Sequence, residues 1–146
     1  MSLIKVCNNV RLKLLTKDDL PFLLEVRNDI STRSYLEDDN IFTLKGCEKW
    51  FGSLTSPWYI IEIENNKVGY IRTKGDEVGC DIHPNFRMKG YAKSAYTEYL
   101  KDKKYATLWV FEDNFALNLY ESLGFEKDGE FKVVRERKYV HMIYKS

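Results

Sequence analysis

The sequence is poor in the residues that break or staple a chain. It holds three prolines, eight glycines and three cysteines in 146 positions. With so little proline and glycine, and no repeating period, collagen-like and low-complexity chains are excluded. Cys7, Cys47 and Cys80 are scattered, odd in number and form no Cys-x-x-Cys pair. Only His83 and His141 could join them at a metal. Neither a disulfide framework nor a zinc site is expected, and a reduced, cytoplasmic setting is. No apolar run approaches the roughly 18 residues a membrane span needs. The N-terminus lacks the charged and apolar regions of a secretory leader, so none is expected. Charge of one sign is also lacking. The 23 Lys+Arg face 22 Asp+Glu, for a net +1, where a dedicated nucleic-acid binder shows a strong basic excess.

Apolar residues, by contrast, make up 44% of the chain. Surface scaling for a 17.3 kDa chain has it bury about 70% of its unfolded surface, enough for one core and too little for two. One domain over residues 1–146 is expected, and disorder is excluded.

Val10, Leu12 and Leu14 alternate with Arg11 and Lys13, as in a half-buried strand. Thr16 reads as the cap of a helix reaching about Arg27, with Asp18, Asp19 and Pro21 near its start. Arg27 to Asn40 is polar and acid-rich, a loop or a broken short helix. Thr43 caps a second helix whose Cys47, Trp50, Phe51 and Leu54 recur at helical spacing. Three strands follow as a meander: Trp58 to Ile63, Val68 to Thr73 and Glu77 to His83. A helix from Met88 to Lys101, a strand from Ala106 to Phe111 and a helix capped by Asp113 and ended by Gly124 come next. Phe125 to Val134 and Tyr139 to Tyr144 close the chain as strands. The order βααβββαβαββ predicts a mixed α/β fold, a central mixed seven-stranded sheet with helices on both faces.

The stretch richest in chemistry is His83-Pro84-Asn85-Phe86-Arg87-Met88-Lys89-Gly90-Tyr91-Ala92. Here a strand passes through a short turn into a helix. A helix start exposes free N–H groups and the positive end of the dipole, where acids normally sit. This one carries Arg87, Lys89 and Lys93 and no acid before Glu98. Cations there make sense around a bound anion, and Gly90 lets the backbone approach it. The plain alternative is a solvated basic turn. It is not a Walker loop, since no Gly-Lys-Ser/Thr follows.

One βα unit later stands Leu119-Tyr120-Glu121-Ser122-Leu123-Gly124-Phe125. The pair Arg-x-x-Gly-x-Ala and Leu-Tyr-x-x-x-Gly-Phe resembles the GNAT superfamily of N-acetyltransferases, and so does the element order. Glu25-Val26-Arg27-Asn28-Asp29 and Glu77-Val78-Gly79-Cys80-Asp81-Ile82-His83-Pro84 are similar to the branch acting on ribosomal-protein N-termini or nucleotide-linked amino sugars. The resemblance implies acetyl-CoA as co-substrate, with Arg87, Met88, Lys89, Gly90, Tyr91 and Ala92 around its pyrophosphate. It implies a splay between the strands ending near Ile82 and Phe111, which takes the pantetheine arm. A backbone N–H near Ile82 would steady the oxyanion, and Tyr120 would protonate the departing thiolate. Three positions depart from the family pattern. Met88 and Ala92 stand where smaller residues are usual, and Asp113 holds the place of a common asparagine, leaving Asn114 to reach the cofactor.

An attacking amine must be neutral, so a base is sought on the face shared by Glu77, Asp81 and His83, in that order of preference; bulk water is the alternative. The acidic run Glu37-Asp38-Asp39 suits a cationic acceptor, and otherwise reads as a solvated loop. Arg27 either pairs with a carboxylate or meets a phosphate on the acceptor. Trp50, Trp58 and Trp109 read as core. The partner expected is a small-molecule or peptide amine, with no nucleic acid and no membrane; a homodimer is left open. The competing expectation is a CoA-binding sensor or scaffold of the same fold without turnover. The net +1 is itself a cancellation. Asn85 to Lys104 carries six basic and two acidic residues, Glu25 to Asn40 two basic and five acidic.

Overall fold

The computed structural model describes residues 9–146, and Cys7 lies outside them. Strands β1 (Val10–Leu14), β2 (Tyr59–Ile63), β3 (Asn66–Lys74) and β4 (Glu77–Ile82) form an antiparallel meander. Strand β5 (Tyr105–Phe111) adds parallel to β4, and β6 (Glu126–Val134) and β7 (Arg137–Lys145) finish one sheet of order β1-β2-β3-β4-β5-β7-β6. Helices α1 (Leu20–Arg27), α2 (Ile30–Arg33), α3 (Leu44–Gly52), α4 (Tyr91–Leu100) and α5 (Ala116–Ser122) connect them. Among the described residues no helix is long and apolar enough to cross a membrane.

Two apolar clusters pin the helices to opposite faces. Leu20, Leu23 and Val26 of α1 and Cys47 of α3 pack on Ile60 and Tyr70. Ala95, Tyr96 and Leu100 of α4, with Leu119 and Tyr120 of α5, pack on Ile61, Val78, Leu108 and Val140. Trp50 and Trp58 flank the first cluster, and Trp109 belongs to neither.

The sheet follows the sequence pattern closely, and the helix starts differ from it. Met88 (φ 63°) and Gly90 (φ 78°) are left-handed, so Arg87–Gly90 is a turn and the helix begins only at Tyr91. Asp113 caps nothing: it is drawn 2.9 Å from Arg137, and Asn114 Oδ1 accepts the Ala116 N–H instead. In β1 the alternation ends early; Leu14 is exposed and Leu15 takes the buried place. Thr16 caps a short 3-10 turn, Lys17–Asp19, that leads into α1.

Asp19 anchors this corner. It is 1% exposed and accepts from Lys67 at 2.7 Å, the Thr16 N–H at 2.9 Å, the Thr16 hydroxyl at 3.0 Å and Lys13 at 3.1 Å. Burial alone would raise its pKa. The Lys67 contact, helped by Thr16 and Lys13, overcomes that and holds the carboxyl at about 2. A carboxyl depressed on folding stabilises the fold above its unfolded pKa, and that share is lost as pH falls through the folded value. Replacing Asp19 with Asn should remove roughly 2 kcal/mol of stability at neutral pH. It should also flatten the loss between about pH 4 and pH 2; urea unfolding across pH measures both.

Candidate active site

The site is built on a ladder that stops. β4 and β5 share one register pair, Glu77 with Thr107, where the Thr107 N–H donates to the Asp76 carbonyl at 2.9 Å. Beyond it the strands diverge. In the antiparallel β3–β4 ladder hydrogen-bonded and open positions alternate. The His83 N–H donates to Val68, so His83, Asp81 and Gly79 face β3, and Cys80 and Ile82 aim their N–H groups into the gap. The Ile82 carbonyl, on the same side, accepts from Arg87 Nε at 3.0 Å.

A groove of about 520 Å³ continues this gap past α4 and α5. Of the residues expected around an anion, Arg87, Met88, Gly90, Tyr91 and Ala92 line it, with Ile82 and Lys93, while Lys89 stands off its wall. Gly90 is the N-cap of α4, and the first turn of that helix has no acidic residue. The start of the helix therefore offers free N–H groups with no carboxylate competing for an anion. Arg87 is more tied than expected. Besides Ile82, it donates to Ser31 Oγ at 2.5 Å and Thr32 Oγ1 at 2.7 Å. It thus fastens α2 to the rim of the groove. Asn114 lines the opposite wall, and its amide nitrogen meets no partner among the described residues. Asp113 is turned out to Arg137.

Tyr120 stands on α5, packed against the α4-side cluster, and is not among the residues that line the groove. Its ring meets that of Tyr96 edge-on at 5.4 Å, and Tyr96 O–H donates to the Tyr120 oxygen at 3.5 Å. Burial pushes the Tyr120 phenol up to about 12, partly offset by the Tyr96 hydrogen bond, with Cys80, Arg72 and Asp81 also acting on it. Cys80, in the groove wall, is likewise raised by burial and by Asp81, and so kept as a thiol.

The three acid–base candidates on β4 have different surroundings. Asp81 is buried, with Arg72 Nε 3.0 Å from one oxygen and Nη2 3.4 Å from the other. Gly79 makes room for this pair, because a Cβ there would lie 2.4 to 2.6 Å from the Arg72 guanidinium. Tyr70, directly across from Asp81, is fully buried, and its hydroxyl has no partner among the described residues. Burial, then the Asp81 charge, drive that phenol upward. Glu77 is exposed at the paired end of β4, in no ion pair among the described residues. Along a strand it lies roughly 13 Å from Asp81. His83 is committed elsewhere. Its Nδ1 accepts the Asn85 N–H, so Nε2 carries the proton and donates to Glu25 at 2.6 Å.

The acid-rich loop is held by cations of its own chain. Arg27 is buried and donates to the carbonyls of Asp38 and Asn40, at 2.6 and 3.2 Å. Its partners are backbone oxygens, where a carboxylate was one expectation. Arg33, Arg135 and Arg137 also donate to carbonyls of residues 28–39. Glu37 meets Lys132 at 3.0 Å and Asp39 meets Arg135 at 3.4 Å. Arg72, Tyr96, Tyr139 and the Ser31–Thr32 pair were not singled out in the sequence. The Lys74-Gly75-Asp76 turn does fix the hairpin register, which sets Arg72 diagonal to Asp81.

Comparison with known proteins agrees with this geometry. The family described as "Acetyltransferase (GNAT) domain" matches residues 55–127, half of the chain. The sequence matches none of the curated proteins. Among solved structures, the chain resembles a spermidine N-acetyltransferase from Vibrio cholerae in complex with CoA and spermine. The TM-score is 0.85 at 20% identity, covering 94% of this chain and 96% of that one. It also resembles a ribosomal-protein-alanine N-acetyltransferase from Brucella melitensis, with TM-score 0.78, 20% identity, and 93% and 99% coverage. At such identities the likeness speaks for the fold. The family match itself runs from just before β2 through the splay, the Arg87–Ala92 turn and α5, the elements that supply most of the groove's lining, and the chain therefore belongs to the GNAT acetyltransferases.

Proposed function

We propose that the protein moves an acetyl group from acetyl-CoA to a primary amine by direct attack, with both substrates bound at once. The observation that carries this reading is the splay, which leaves the Cys80 and Ile82 N–H groups aimed into a gap continuous with the groove. Backbone donors in a gap between strands need a partner, and an extended amide-bearing arm supplies one. The Arg87–Ala92 turn and the start of α4 suit the pyrophosphate. One of the two β4 N–H groups suits the oxyanion that forms when the amine attacks the thioester carbonyl.

Tyr120 is assigned the proton that the leaving thiolate takes up. Because Tyr96 donates to its oxygen, the proton of Tyr120 is free to point elsewhere. Asp81, gripped on both oxygens by Arg72, is assigned to hold the end of β4 rather than to act as base. Glu77, in no ion pair among the described residues, is assigned the proton lost by the amine, which at roughly 10 Å or more along the strand from the Cys80 and Ile82 N–H groups must reach it through a chain of waters.

Thiol release across a panel of amines tests the activity. Tight acetyl-CoA binding with no thiol release from any amine would overturn it in favour of a binding module. Tyr120→Phe should cut kcat at least about tenfold while leaving the acetyl-CoA Kd nearly unchanged. With the phenol raised to about 12, the proton is present throughout the neutral range. The alkaline limb of kcat below about pH 10 should therefore have the same shape in wild type and Tyr120→Phe. Gly79→Ala should expel Arg72 from Asp81 and lower the unfolding free energy by about 2 kcal/mol, a figure discounted for the partly exposed guanidinium. A loss under ~0.5 kcal/mol in urea unfolding would show that the pair is not held by this contact.

A further inference from the structure

Trp109 and Tyr139 stack at 5.5 Å on neighbouring strands, on the face of the sheet opposite α4 and α5. The ammonium of Lys132 lies 4.5 Å from the Trp109 ring centre and 5.7 Å from that of Tyr139. The same ammonium is 3.0 Å from Glu37. Two ring faces and a carboxylate around one cation make an ammonium-binding seat. In this structure the chain's own lysine fills it.

The position of the seat matters. Trp109 stands two residues past Thr107, the last residue of β5 paired with β4, so it borders the splay. Tyr139 sits diagonal to it on β7, across from Phe111. Its phenol is pushed up to about 12, first by burial, with Arg72, Glu37, Glu77 and Tyr120 all acting on it. The seat thus lies over β5, the strand that borders the gap, and its neighbour β7.

Lys132 is also more loosely held than the arginines of this arm. Arg135 and Arg137 donate to carbonyls of Leu36, Glu37 and Ser34, which fix them. Lys132 makes no hydrogen bond to backbone among the described residues, and its side chain is 42% exposed. Beyond Trp109, His141 bonds to Asp128 at 2.7 Å with Glu130 at 3.6 Å, so the far rim of the seat is acidic as well.

We propose that Trp109, Tyr139 and Glu37 receive a second, non-reacting ammonium of the acceptor, and that Lys132 holds this seat until the acceptor displaces it. The acceptor class is then an aliphatic diamine or polyamine, or a lysine-like side chain, with one amine neutral in the gap and the other charged in the seat. This inference rests on the acetyl-transfer reading for its kinetic test, and a binding arm separates the two.

The test compares 1,4-diaminobutane with butylamine, which lacks the second cation. Lys132→Gln should lower KM for the diamine about two- to fivefold, the range of an exposed cation–π contact, and leave the butylamine KM in place. Glu37→Gln and Trp109→Leu should raise the diamine KM by at least as much, again without a matching change for butylamine. Equal shifts for both amines, or a diamine KM that rises in Lys132→Gln, would overturn the proposal and leave Lys132 a strut of the arm. If no amine releases thiol, the transfer reading fails. Calorimetric titration with 1,4-diaminobutane then decides the seat alone, with tighter binding in Lys132→Gln and weaker binding in Glu37→Gln expected. No difference from wild type in either variant would remove it.

Discussion

The groove in this fold depends on a parallel strand pair that forms a single rung. Had β4 and β5 stayed paired, Cys80 and Ile82 would spend their N–H groups on β5 and the sheet would be closed. Divergence leaves backbone donors in the middle of an otherwise complete ladder, and they can be satisfied only by something that enters between the strands. The sheet on either side has to tolerate this interruption. It does so through the β3–β4 meander on one flank and the long β5–β7 pairing on the other, each with a full antiparallel register. The gap is thus a defect in pairing held open by two intact halves.

Arginine keeps the halves in place. On the β4 side, Arg72 crosses from β3 to Asp81, over the space that Gly79 leaves. At the open end, Arg87 takes the Ile82 carbonyl and reaches Ser31 and Thr32 of α2. Around residues 28–40, Arg27, Arg33, Arg135 and Arg137 satisfy a row of carbonyls that no secondary structure would satisfy. A planar fork with five donors suits this work, and lysine would not replace it. Arg87, itself in the turn that starts α4, thereby ties that turn to the segment that leads into the acid-rich loop.

Much of this was legible in the sequence because it depends on local periodicity. Alternation placed the strands, helical spacing placed α3, and Thr43 and Gly124 marked the ends of helices where the structure has them. The order of elements sufficed for a mixed sheet with helices on both faces. Less legible were features set by partners distant in the chain. Asp113 looked like a helix cap until Arg137, 24 residues on, claimed it. Arg87 looked free for an anion, and its ties to Ser31 and Thr32 span 56 and 55 residues. The Met88–Gly90 turn was read as helix because residue preference does not reveal a left-handed Met; only the sharp change of direction from β4 into α4 demands it.

Charge offers the last step. A net charge of +1 hides a basic start of α4 facing the groove and an acidic segment over residues 25–40, whose Ser31, Thr32 and Tyr35 meet the same groove. The structure divides that acidic segment further. The Asp39 charge is matched by a fixed arginine, and Asp38 turns to Asn40. Glu37 alone of the run meets a lysine that lies over aromatic rings. A rigid cation neutralises a carboxylate permanently, while a solvated, flexible one neutralises it only until a better cation arrives. On this face the difference between arginine and lysine separates charges that build the loop from a charge left available for exchange.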